Sequence, residues 1–234
     1  MINKIILLSN PFFDAYTHSD ILGKLIFISL ISLSIISWII LIHKTFLTYR
    51  VRKFAEQFRT SFSNQKMNPL SLEFVQQHTN PFYELFRILK KYTLDLLAKN
   101  RRFGGGDVSY LSPTDVDFIQ AHLMTTVAGQ TKWLEKHLFI LATVVSLAPF
   151  LGLLGTVWGI LITFADMQSA AGSNQVLGGI SLALATTVLG LIDAIPALIG
   201  YNYLKNTIRD FETDMEGFSN EILASVEMQY RKVE

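Results

Sequence analysis

Three stretches of the chain are apolar at almost every position: Leu25 to Ile42, Leu138 to Ala165 and Leu177 to Leu204. At 1.5 Å rise per residue each is long enough to cross a hydrocarbon core of about 30 Å as a helix. Only Asp193 interrupts the third, and the polar segment Asp166 to Gln175 has to turn the chain between the second and the third. With their flanks, these runs divide the chain into an N-terminal segment at 1–20, spans at 21–43, 138–165 and 176–204, a large polar region at 44–137, a turn at 166–175 and a tail at 205–234.

Outside the spans the helical period persists. Phe46, Val51, Phe54 and Phe58 carry it from Thr45 to Phe62, which predicts that the first helix continues beyond the membrane and ends near Ser63-Asn64. Pro81 to Arg102 reads as another helix, with proline at its first position and Gly104-Gly105-Gly106 as the hinge or tight turn that stops it. Ser112-Pro113-Thr114-Asp115 has the form of a capped helix start. No breaker follows until Pro149, so one helix is expected to run from Pro113 into the second span. In the tail, Ile208, Phe211, Met215, Phe218, Ile222 and Val226 recur at three-to-four spacing and require partner helices. Strand signals are almost absent. The expected fold is an all-α membrane protein with three transmembrane helices and long cytoplasmic helical extensions, which either solubilise the polar region as a bundle or dock a partner.

Charge sets the orientation. Lys and Arg crowd the polar region, from Lys44 and Arg50 to Lys132 and Lys136, and reappear in the tail at Lys205, Arg209, Arg231 and Lys232, whereas 166–175 holds none. Positive residues stay inside. The N-terminus and the 166–175 turn are therefore expected to be periplasmic, and 44–137 and 205–234 cytoplasmic. With 50% apolar and only 17% charged residues, a water-soluble domain is not expected. A net charge of +1 without a long basic run argues against nucleic acid as a partner. The apolar run in Met1 to Leu8 is too short for a signal-peptide core, so the N-terminus is expected to be retained. Cysteine is absent, and His18, His43, His78, His122 and His137 lack metal-ligand spacing, so neither an enzyme nor a metal or other cofactor is expected.

The second and third spans hold the candidate chemistry. Gly152, Gly155, Thr156 and Gly159 fall at i, i+3, i+4 and i+7, extended by Ala148, while Ala183, Thr187, Gly190, Ala194 and Ala197 make a similar seam on the third span. Small residues let helices approach closely in lipid, so a tightly packed hairpin accounts for much of this pattern. Thr156 and Thr187 sit roughly 14 and 17 Å below the outer turn, near the midplane. Their hydroxyls, with that of Thr186, either bond their own helix or line a polar path. Pro149 and Pro196 free the carbonyls of Val145 and Ile192, either as simple kinks or as polar groups for that path. Asp193, roughly 25 Å down, should face the bundle interior or water rather than lipid, either as part of the path or wetted at the inner interface.

Pro149-Phe-Leu-Gly-Leu-Leu-Gly-Thr-Val-Trp-Gly-Ile160 resembles the second-span signature of the TolQ and ExbB proton-channel family, and Ala185-Thr-Thr-Val-Leu-Gly-Leu-Ile-Asp-Ala-Ile-Pro-Ala197 with Tyr201-Asn202 resembles its third. The layout is similar over nearly the whole chain. What the resemblance implies is a homo-oligomeric ring in the bacterial inner membrane, usually a pentamer, surrounding single-span helices of a TolR/ExbD-type partner. It also implies no cofactor, the drive being proton-motive force passed to the outer membrane through a TolA/TonB-type protein, with Thr156 and Thr187 as the lumen threonines. A hydroxyl both donates and accepts, so it can solvate a carboxylate that gains and loses a proton. Where the family often has a glutamate, this chain has Leu182, and where it usually has alanine, this chain has Asp193. The two share a helix face about 16 Å apart, which suggests an acid relocated toward the cytoplasmic exit. Length and a short N-terminus favour a TolQ-like role, in cell-envelope integrity and division, over an ExbB-like one in nutrient import. A non-conducting membrane scaffold and a small-solute transporter are the alternatives.

Overall fold

The computed structural model describes residues 11–17, 19–63, 70, 80–103, 110–168 and 173–231. Among the described residues six helices follow one another: α1 (Pro11–Thr17), α2 (Ile21–Ser63), α3 (Pro81–Phe103), α4 (Pro113–Glu135), α5 (Leu138–Gln168) and α6 (Ser173–Tyr230). Residues 104–106, expected to form a hinge, and 169–172 in the expected turn lie outside the described residues. The chain forms two compact units, one from 1–44 and 137–203, the other from 45–136 and 204–234.

The first unit holds the three membrane-length segments, in α2, α5 and α6, whose most apolar windows have mean hydropathies of 2.8, 2.3 and 2.1. Only 22, 33 and 44% of those windows is buried, so most of their apolar surface must meet lipid or other protein. On α5 the exposed stripe runs through Phe150, Leu153, Val157, Leu161 and Phe164, on α6 through Leu184, Val188, Leu191, Ile195 and Ile199. Inside, Ile26 and Leu30 of α2 pack with Val144 and Ala148 of α5 and Ala194 and Ala197 of α6. A second cluster joins Ala15 of α1 to Phe27, Leu182 and Ala185, so the short N-terminal helix lies against α2 and α6. Asp20 starts α2, accepting from the backbone N–H of Gly23 at 3.0 Å, and also accepts from Trp158 Nε1 at 3.0 and 3.1 Å. One carboxylate thus both caps a helix and ties α2 to α5.

The second unit is built around aromatic rings from α2, α3 and α6. Phe82 and Phe218 stack at 4.5 Å, and Phe62 meets Phe218 edge-on at 5.7 Å. Asn80 fixes the entry to α3: its Oδ1 accepts from Phe82 N at 3.1 Å while its Nδ2 donates to the Phe54 carbonyl at 3.0 Å. Arg52–Asp214 and Arg59–Glu221 pairs, each 3.5 Å, border α2 and α6. At α4, Ser112 and Asp115 form a reciprocal capping box, and Asn100 Nδ2 donates to Asp115 Oδ2 at 2.8 Å. Partial burial raises the Asp115 pKa, but hydrogen bonds from the Ser112 backbone and the Asn100 and Ser112 side chains outweigh that and leave it lowered.

One expectation is overturned. The helix starting at Pro113 does not run into the second span, because it ends at Glu135 and a new helix begins at Leu138. Lys136 is extended (φ −51, ψ 129) and His137 is left-handed at φ 74, as in a type II turn. Lys136 N donates to Trp133 O at 3.3 Å and Ile140 N to His137 O at 3.1 Å, so both helix ends keep partners. Histidine tolerates this conformation at a cost of about 1 kcal/mol, which is why no glycine or proline marks the break.

Candidate functional site

The seam between α5 and α6 is backbone against backbone. A Cβ at Gly190 would lie 2.6 Å from the Ala148 carbonyl oxygen, one at Gly159 2.6 Å from that of Gly179, and one at Gly152 3.0 Å from that of Thr186. At Gly155 it would run into the Thr186 side chain. These glycines bring two helices to a separation that no larger residue allows, which in lipid supplies the dispersion and polar contacts that hydrophobic force cannot. Both helices pass through their prolines, Pro149 and Pro196, without interruption.

The three threonines have different surroundings. Thr187 is half-buried and its hydroxyl crosses the seam to the Gly152 carbonyl at 3.2 Å, with Ala183 O of its own helix at 3.4 Å. Thr156, also half-buried, lies one turn along α5 from Gly152 and donates to Leu153 O at 2.6 Å. Thr156 and Thr187 therefore sit within about one turn, roughly 6 Å, of a common level at the edge of the seam. Thr186 is fully buried beneath Gly155, its hydroxyl donating to Leu182 O at 2.9 Å and Ala183 O at 3.1 Å.

Asp193 faces elsewhere. Six residues separate it from Thr187, a divergence of about 120° around the helix, which turns it toward α2. It is 7% exposed and its carboxyl is hydrogen-bonded by the Ser34 hydroxyl. Ser37, 5% exposed, follows one turn further along α2. Leu182 lies on the same side of α6, packed with Phe27. Asp193 and the seam threonines are thus two separate polar features of one hairpin. Ser34, Asp20 and the bond that Trp158 of the second-span signature makes to Asp20 escaped the sequence reading, although an aspartate directly before the first span is itself an N-cap signal. Among the described residues no group of three His, Cys, Asp or Glu could hold a metal.

The model of the MotA/TolQ/ExbB proton channel family matches residues 95–217, more than half of the chain and all of the seam. The chain belongs to that family. It is 30% identical to the Tol-Pal system protein TolQ of Haemophilus influenzae, over 93% of this chain and 94% of the relative. It is also 30% identical to the biopolymer transport protein ExbB of Pseudomonas putida, over 90% of this chain but only 62% of that protein. A shorter ExbB, from Aquifex aeolicus, is 45% identical over 98 residues, 41% of this chain and 66% of the relative. This member of the proton channel family thus has TolQ-type and ExbB-type relatives together with three helices able to cross a membrane.

Proposed function

We propose that the chain is a TolQ-like proton-channel subunit of an inner-membrane motor that couples proton-motive force to outer-membrane integrity and cell division. The observation that carries this is similarity to TolQ along 94% of that relative, seam and polar regions together. In this reading several copies, usually five, form a ring with the N-terminus periplasmic and the C-terminus cytoplasmic. Single-span helices of a TolR-type partner occupy the lumen, and a TolA-type protein receives the work. No cofactor takes part. Thr156 and Thr187, half-exposed at the seam edge, solvate the partner's carboxylate as it gains and loses a proton. Asp193 acts as the subunit's own acid, on the side of α6 toward α2, and Thr186 serves the packing beneath Gly155.

The test is proton flux into liposomes holding this chain with its single-span partner. Thr187→Val should lower flux at least tenfold, Thr187→Ser should retain it, and Asp193→Asn should lower it while the complex still assembles. Flux that needs neither Thr187 nor the partner would overturn the channel reading. Flux unaffected by Asp193→Asn would remove that residue from the pathway. The ExbB-like reading, energising TonB-dependent import, is favoured by the higher local identity to the Aquifex protein. Deletion of the gene separates the two, since leakage of the outer membrane and chained cells follow from the first and impaired nutrient uptake from the second.

A further inference from the structure

We propose that a groove between α1, α2 and α6 holds one acyl chain of a phospholipid whose phosphate rests on Lys24. The groove has a volume of about 370 Å³. Phe12, Phe13 and Tyr16 of α1 contribute to its lining, as do Ile28 and Ile31 of α2 and Leu189 of α6. That volume falls in the range of small-ligand sites, and water in it would find few hydrogen-bond partners. Left empty, the lining would forgo its dispersion contacts, so hydrocarbon is the occupant that suits it.

Two further observations select a lipid of the leaflet on the α1 side. The groove is open laterally: Ile28 and Ile31 are 49 and 50% exposed and Phe13 63%. Lys24, Ile28 and Ile31 fall at i, i+4 and i+7 of α2, so Lys24 lies on the same face, about 6 Å along the axis from Ile28. Its side chain makes no ion pair among the described residues, and the nearby Asp20 carboxylate is engaged by Trp158 and the start of α2. A lysine one turn beyond the mouth of an apolar groove matches the order of phosphate and acyl chain in a phospholipid. The short helix α1, set against α2 and α6 by Ala15, then acts as a clamp over the chain.

The full-length protein is reconstituted in nanodiscs of phosphatidylglycerol and phosphatidylethanolamine, re-extracted in mild detergent, and its retained phospholipid counted by native mass spectrometry. One phospholipid per subunit is expected. Ile28→Trp, which fills the groove from its exposed rim, and Lys24→Gln should each lower retention at least fivefold, and Lys24→Arg should preserve it. Equal retention in wild type and both lowering variants overturns the proposal, and Lys24→Gln alone decides should Ile28→Trp fail to assemble. The chain has no cysteine, so Ile31→Cys gives a single thiol. Efficient thiol cross-linking between subunits there would show that a second copy fills the groove, which also overturns it.

Discussion

Gly190→Ala and Gly217→Ala are the same chemical change in the same helix, and the structure gives them opposite signs. At Gly217 a Cβ would meet nothing within 4 Å, so the methyl only removes backbone freedom from the unfolded chain and should stabilise by about 1 kcal/mol. At Gly190 that gain is present too, but the Cβ would sit 2.6 Å from the Ala148 carbonyl oxygen and 3.3 Å from Gly152 Cα. Those are backbone atoms, which cannot rotate aside, so the helices must part. Overpacking of this kind costs about 1–3 kcal/mol, leaving Gly190→Ala net destabilising by about 1 kcal/mol. The two variants should therefore differ by about 2 kcal/mol, or about 4–8 °C in Tm for a chain of this size. Thermal unfolding of the purified protein in one detergent, followed by circular dichroism, measures it. A Gly190→Ala protein that melts with or above Gly217→Ala would refute the close approach of α5 and α6.

Two further perturbations test other parts. His137→Gly should raise Tm by about 2–4 °C by relieving a left-handed residue worth about 1 kcal/mol, and His137→Val should lower it, both read in the same melting experiment. The lowered pKa of Asp115 means that its contribution to stability is present above the ordinary carboxylate value of about 4 and is lost as pH falls through the still lower folded value. The Tm difference between wild type and Asp115→Asn should accordingly be constant from pH 7 to about pH 5 and shrink below about pH 4; a difference that grows on acidification would contradict the capping box.

What the sequence made legible was local. Helix starts at Pro81 and Pro113 were readable because their caps are sequence neighbours, and the small-residue seam because its period is that of one helix face. The break at 136–137 was hidden, since Lys-His contains no breaker and the turn rests on a histidine in a conformation glycine usually takes. Pairings across long separations were equally silent: Trp158 with Asp20 spans 138 positions, and nothing near Asp193 points to Ser34. The adjacent threonines show the limit most clearly. Thr186 and Thr187 differ by one residue, about 100° of rotation, and only the packing of α5 decides that one is sealed under Gly155 while the other reaches the seam edge.

The glycines of the first unit should also leave two different marks on sequence divergence. Gly159 and Gly190 are limited by carbonyl oxygens, and no substitution elsewhere can move a main chain out of the way, so these positions should tolerate no replacement in diverging descendants. Gly200 is limited by the side chain of Leu41, which a smaller residue could replace. There the expected mark is covariation, with alanine or serine at 200 accompanied by valine or alanine at 41, a compensating pair separable from the fixed ones in any deep set of descendants.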